Sequence, residues 1–401
     1  MSDQGSAEQT RVAAGLAAGS AAGFTADWAA GHMARLADGV PAQVTQRLRT
    51  AGLDPDAVTR LVVAALVEDL GGGTDATTEA TVAADATGTG RLVAREDGVV
   101  AGLPVAELVF HLAAVLPAAF GGGTAADSTA SIDAGGTDGA VADRGGADRG
   151  GADRGGAGPG GAGGGGAGGG CGGAGGGGRG TQPLRIIYHA ADGERVRRGQ
   201  PLLTVSGGLR ALLLAERSAL NLLCHLSGVA TLTRRWVDEV AGTGAVIRDT
   251  RKTLPALRAV QKYAVRCGGG LNHRMSLADA VLVKDNHVAA AGSVAAAYAA
   301  AVAAARGLPA EIECDTLAQV AEVAGLGAEV ILLDNFSTAE LAQAVAMVAG
   351  RARLEASGGL SLPQARAVAG TGVDFLAVGA LTHSAPALDI GLDLAPGEVG
   401  T

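Results

Sequence analysis

The chain has 401 residues, but 66 are glycine, so the packed part is shorter than the length suggests. A hydrophobic share of 48 % is enough for a core of α/β size, and an aromatic share of 2 % means that Ala, Val and Leu build it. The formal charge of −9 argues against a nucleic-acid surface, which needs clustered cations on a net basic face, but leaves room for a small anion held by a few pocket cations.

From the N-terminus, residues 1–41 mix Ala, Gly and scattered charges without sustained periodicity and read as a disordered extension. They lack a basic start followed by an unbroken apolar run. Four cysteines (Cys171, Cys224, Cys267, Cys314) stand too far apart for a CxxC pattern, which points to a reducing, cytoplasmic compartment. No stretch of 18 residues is apolar without interruption, so no membrane partner is expected.

The run TRLVVAALVEDL (59–70) has helical spacing, and GRLVAREDGVVAGL (90–103) reads as two strands around a turn at Asp97-Gly98. Residues 121–180 then become Gly/Ala/Asp/Arg repeats, with ADRGG three times in succession at 142–156. Such a tract buries too little apolar surface to offset about 1–2 kcal/mol of backbone entropy per residue, so a disordered insert is expected. After it, 184–207 gives two more strands around Asp192-Gly193 and completes one α+β domain across the insert. The turn there is also similar to a biotinyl or lipoyl carrier hairpin, but no Lys precedes Lys252 to carry the cofactor.

Residues 209–240 read as a long helix or a helix pair broken near Ser227-Gly228, on which Arg217, Asn221 and His225 align in one polar stripe. From 245 onward a unit repeats: a short apolar run, an abrupt polar or Gly-rich end, then an Ala-rich helix. The runs are AVIRDTR, ADAVLVKDNH, AEIECD, AEVILLDN, ARLEASGG and VDFLAVGAL. Buried parallel strands alternating with helices fit a βα barrel or an open α/β sheet. Unusual chemistry follows every strand, which favours the barrel, where all strand ends face one rim.

The chain keeps three lysines among 31 basic residues, all in one window: Lys252, Lys262 and Lys284. Lys is retained where a compact ammonium is needed and a planar guanidinium does not fit. Lys262, inside a helical run, reads as a helix-surface residue, leaving Lys252 and Lys284 as the functional pair. With Arg251, His273, Arg274 and Arg217 they form a cationic cluster suited to a polyanion. Glu313 and Asp334, on neighbouring strand ends, suit Mg²⁺ held directly or through water. The Gly-rich ends Ser357-Gly358-Gly359 and Val378-Gly379-Ala380 offer backbone N–H groups to a phosphate.

ERSALNLL (216–223), DTRKT (249–253), RCGGGLNHR (266–274), KDNH, EIECD, LLDN, EASGG and VGALTHS together closely resemble the quinolinate phosphoribosyltransferases, as does EDLGGGTDATTEATV (68–82). The resemblance covers about 42–118 and 182–395; TLPAL (253–257) replaces the more usual TTPGL, and the insert is foreign to the family's length. It implies an α+β sandwich domain (42–228, interrupted by 121–180), an incomplete βα barrel of fewer than eight strands (229–387), and a C-terminal segment (388–401) returning to the first domain. It also implies a homodimer or hexamer in which Arg217 completes the neighbouring subunit's site. Quinolinate is expected at Arg217, Arg251, Lys252, Thr253, His273, Arg274 and Lys284. Phosphoribosyl pyrophosphate is expected with Mg²⁺ beside Glu313 and Asp334, and its 5′-phosphate on the two Gly-rich ends. Lys252, Lys284, Glu313 and Asp334 are the expected catalytic groups, with no organic cofactor. The rival readings are a nicotinate phosphoribosyltransferase, a Schiff-base lyase using Lys284, and a phosphoribosyl-binding assembly module without catalysis.

Overall fold

The computed structural model describes residue 36 and residues 39–71, 73–120 and 184–396. The expected disordered extension, apart from those few positions, and the Gly-rich insert with Cys171 lie outside the described residues. Two sheets organise the rest.

The first sheet is four-stranded, antiparallel, and ordered β12-β1-β5-β3, from β1 (Thr87–Ala94), β3 (Arg185–Tyr188), β5 (Pro201–Gly208) and β12 (Ile390–Pro396). Neither Asp-Gly turn makes the simple hairpin that the sequence suggests. Both edges of β1 are taken, by β5 and β12, so the strand after Asp97, β2 (Gly98–Val99), pairs instead with β4 (Arg195–Val196). Asp97 accepts from the Arg198 N–H, and Asp192 accepts from Gly102 N and Leu103 N at the start of helix α4 (Leu103–Phe120), which follows α1 (Ala42–Thr50), α2 (Pro55–Leu70) and α3 (Ala76–Thr81). Both aspartates are therefore used to hold backbone donors far away in sequence.

Helix α5 (Leu209–Glu239) is continuous over 31 residues, not broken at Ser227-Gly228. Gly228 serves close approach: a Cβ there would overlap the Pro386 carbonyl, and Leu388 N donates to Cys224 O at 2.9 Å. The helix buries Leu212, Leu223, Leu226 and Trp236 in the hydrophobic core, which also takes in the strands of both sheets.

The second sheet is parallel, six-stranded, and ordered β6-β11-β10-β9-β8-β7. Its strands are β6 (Val246–Arg248), β7 (Val281–Val283), β8 (Ala310–Cys314), β9 (Val330–Asp334), β10 (Arg353–Ser357) and β11 (Phe375–Ala377). All six expected runs form strands. The last strand pairs with the first, as in a ring cut once, and the cut lies between β6 and β7, where a single bridge joins Arg248 to Leu271. This is an incomplete βα barrel with fewer than eight strands. Helix α6 (Arg258–Cys267) and the segment 268–280 span the cut.

Candidate active site

Side chains two apart on a barrel strand share its inner face. Leu282 and Lys284 at β7, Leu332 and Asp334 on β9, and Glu355 and Ser357 on β10 follow that spacing. With Glu313 on β8 and Ala377 on β11 they line a cavity of about 360 Å³. Thr250, Arg251 and Lys252 enter it from the end of β6, and His273 and Arg274 from the segment that spans the cut. The cavity thus gathers seven of the expected charged groups (Arg251, Lys252, His273, Arg274, Lys284, Glu313, Asp334) and Ser357.

Arg251 and Arg274 set its electrostatics. The Nε atom of each is buried without a hydrogen-bond partner, and neither arginine forms a salt bridge among the described residues. Burial first, and the neighbouring Arg251 second, hold the Arg274 guanidinium below its ordinary pKa. Two adjacent half-buried cations without a salt-bridge partner among the described residues form a receptor for an anion. Lys284 pairs with Glu313, and Asn335 Nδ2 donates to Asp334 Oδ2 at 2.7 Å.

The floor carries charges that were not expected. Glu355 is fully buried and paired with Arg248; His273 Nε2 lies 2.7 Å from Glu311 Oε2 and 3.9 Å from Glu355 Oε1. Burial, and then the nearby Glu311, push the Glu355 carboxyl up to about 7. His273, Glu311 and Glu355 are a tight group of possible metal ligands, yet Arg248 already supplies the positive charge there. The expected metal position is elsewhere, at Glu313 and Asp334 on the strand ends, where Glu313 is already paired with Lys284 and Asp334 forms no salt bridge among the described residues.

At the Gly-rich ends, Gly358 has φ +89°, and a Cβ there would overlap Asn335, itself left-handed at φ +59°. Gly379 leaves room for Lys252: a Cβ would stand 3.1 Å from Lys252 Cδ, and 3.3 Å from His383 Nε2.

Three expectations are corrected, at Val378, Thr253 and Lys262, while Arg217 is expected at the site of a neighbouring subunit and not at that of its own chain. Val378 is buried and its N–H goes to Arg248 O at 2.9 Å, completing the β6–β11 ladder, so it has none to offer a phosphate. Thr253 does not line the cavity, and its hydroxyl accepts from Arg258 Nε at 3.0 Å. Arg217 is exposed on α5 and absent from this chain's cavity wall. Lys262 is not a helix-surface residue: it is fully buried. Its ammonium donates to Asp249 Oδ1 at 2.5 Å, His273 O at 2.7 Å and Arg274 O at 3.1 Å. Asp249, also fully buried, accepts in addition from His273 N and Asn272 Nδ2.

Sequence reasoning missed Glu311, Glu355, Asp249 and Lys262. A strict period-two reading of AEIECD and ARLEASGG puts Glu311 and Glu355 on the inner face beneath Glu313 and Ser357. No local signal marks Lys262, because its partners come from two other segments, the end of β6 and residues 273–274.

Comparison with known proteins agrees with this architecture. The family model described as "Quinolinate phosphoribosyl transferase, C-terminal domain" matches residues 229–393, and the corresponding N-terminal model matches 181–227. The chain is 46 % identical to the nicotinate-nucleotide pyrophosphorylase [carboxylating] of Mycobacterium leprae over 342 residues, covering 84 % of this chain and 98 % of that one. It is 31 % identical to a mitochondrial quinolinate phosphoribosyltransferase [decarboxylating] of Nicotiana tabacum, covering 82 % and 80 %. The crystal structure of NadC from Streptococcus pyogenes superposes with a TM-score of 0.66 at 32 % identity, over 86 % of this chain and 99 % of that one. The incomplete six-strand barrel, the anion cavity at its rim and these matches together place the chain in the quinolinate phosphoribosyltransferase family.

Proposed function

We propose that the chain transfers the phosphoribosyl group of phosphoribosyl pyrophosphate to quinolinate with loss of CO₂, giving nicotinate mononucleotide and pyrophosphate for NAD biosynthesis. The observation that carries the substrate assignment is the pair Arg251 and Arg274, two half-buried arginines whose Nε atoms are buried and unpartnered, beside His273. A pyridine bearing two adjacent carboxylates supplies the two negative charges that this wall lacks. A mono-acid leaves one cation uncompensated, which favours quinolinate over nicotinate.

In this reading Arg251, His273 and Arg274 hold the dicarboxylate so that the ring nitrogen faces ribose C1, while Lys252 and Lys284 bind anionic oxygens of either substrate. Ser357, Gly358, Gly359 and Gly379, with the neighbouring Ala380, take the 5′-phosphate, and His383 stands beside Gly379. Glu313 and Asp334 would hold Mg²⁺, which supplies neutralising charge to the departing pyrophosphate. The same two carboxylates face the positive charge that develops on the ribose as its bond to pyrophosphate breaks. Attack by nitrogen makes a pyridinium, and its positive charge takes up the electron pair left on C2 when the 2-carboxylate leaves as CO₂; a proton then completes C2–H.

The assembly follows the same logic. Arg217 is exposed on α5 beside Asn221 and contributes nothing to its own chain's cavity, so we assign it to the site of a second copy in a homodimer or hexamer. We place the enzyme in the cytoplasm; no single described helix is long and apolar enough to cross a membrane, and Cys224, Cys267 and Cys314 are unpaired.

The decisive experiment is an assay of quinolinate-dependent CO₂ and pyrophosphate release. Turnover is expected with quinolinate and not with nicotinate. Arg251→Ala and Lys284→Ala should lower it by about 10²-fold or more while circular dichroism stays unchanged. Near-normal rates in either variant, or turnover of nicotinate alone, would remove the assignment.

A further inference from the structure

Buried Lys262 does not line the cavity described above, and the reaction as described makes no use of it. Its ammonium has three donors, and three acceptors meet them: the Asp249 carboxylate and the carbonyls of His273 and Arg274. Asp249 immediately precedes Thr250, Arg251 and Lys252 at the end of β6, and it also accepts from His273 N at 2.8 Å and from Asn272 Nδ2 at 2.6 Å. Asn272 Nδ2 in turn donates to Lys262 O at 2.8 Å. The network therefore ties together the strand end that carries Arg251 and the segment that carries His273 and Arg274.

It does so at the one place where the barrel has no ladder. Between β6 and β7 only the Arg248–Leu271 bridge joins the walls. Elsewhere parallel pairing fixes the distance between neighbouring strand ends; here Leu271 N donates to Ile247 O and Leu271 O accepts from Asp249 N, and beyond residue 271 the buried ion pair continues the tie. Arg251 and Arg274 are neighbouring like charges with unpartnered Nε atoms, so the network holds the segment 272–274 against their repulsion, together with the His273–Glu311 contact and the bond from Arg274 Nη1 to Ala280 O.

We propose that Lys262, through Asp249, is a positioning residue for the dicarboxylate half of the site: it sets the spacing of Arg251 against His273 and Arg274 across the cut in the barrel. This rests on the quinolinate reading of that half. Glu313, Asp334 and Ser357, in the other half, lie on β8, β9 and β10, which are held by continuous ladders. An arginine cannot replace Lys262, because its planar fork does not reach three acceptors gathered around one point.

The test uses the full chain carrying Lys262→Met, Lys262→Arg, and the double substitution Asp249→Asn with Lys262→Met, which leaves no unpaired buried charge. Quinolinate binding is measured by calorimetry, KM for each substrate by steady-state kinetics, and folding by circular dichroism and thermal unfolding. The expected result is a KM and Kd for quinolinate raised by about tenfold or more in folded Lys262→Met, with KM for phosphoribosyl pyrophosphate within about twofold and no rescue by Lys262→Arg. A folded variant with unchanged quinolinate binding, or with both KM values moved equally, overturns the proposal. Failure of both the single and the double variant to fold assigns Lys262 to stability alone and overturns it as well. Wild-type protein that does not bind quinolinate removes the functional reading itself, an outcome distinct from a folded variant that binds like the wild type.

Discussion

Glu355 shows how a single residue at the cavity floor couples chemistry to stability. Its carboxyl is raised from the usual 4.5 to about 7, by burial first and by Glu311 second, against the lowering effects of Arg248 and His273. The folded state therefore favours the protonated form more than the unfolded chain does. The stability this contributes is fully present below pH 4.5 and is lost as pH rises through 7, with a magnitude of up to about 3 kcal/mol. Thermal unfolding between pH 5 and 8 should show a downward component of Tm for the wild type, and Glu355→Gln should flatten it. An unchanged slope in the variant would place the ionisation elsewhere. The same residue marks the limit of what the sequence tells. Lys284, Glu313 and Asp334 were legible because each stands at an abrupt strand end, where polarity is conspicuous. Glu355 was hidden inside an apolar run, and Lys262 inside an amphipathic helix, and there polarity is normally read as exposure.

At the scale of elements, the six barrel strands and the helices between them were readable because buried parallel strands give unbroken apolar runs. The first sheet was less so. Its Asp-Gly pairs looked like hairpin turns, and only the competition of β5 and β12 for β1 shows why they are not. Ser227-Gly228 looked like a helix break for a similar reason: glycine signals either a break or a close approach, and only the position of Pro386 decides between them. That distinction gives a prediction. In a helix interior with open space beside Gly228, Gly228→Ala would be stabilising, since Ala is the better helix former by about 1 kcal/mol. In the observed packing the added methyl overlaps the Pro386 carbonyl, so the variant should lose about 2 kcal/mol or more. Urea unfolding of Gly228→Ala decides between the two, and a stabilised variant would contradict the packing.

At the scale of the whole molecule, the insert is the largest departure from the family's length. The segments before 121 and after 181 cluster as one compact unit without residues 122–180. Loop-closure entropy grows only with the logarithm of length, at about 0.6 kcal/mol per doubling. Deleting 122–180 should therefore leave kcat within several-fold and Tm nearly unchanged. A collapse of activity on deletion would show that the tract acts in catalysis or assembly.

The seating of β1 between β5 and β12 also governs how the protein comes to be folded. Residues 87–94 emerge from the ribosome early, but the partner on their outer side, residues 390–396, is made some three hundred residues later. At synthesis rates of about 5–20 residues per second, that edge stays bare for roughly 15–60 s. The portion of the enzyme translated first is thus completed last, and during that interval its open strand is the place where a nascent chain is most exposed to mispairing with a neighbour.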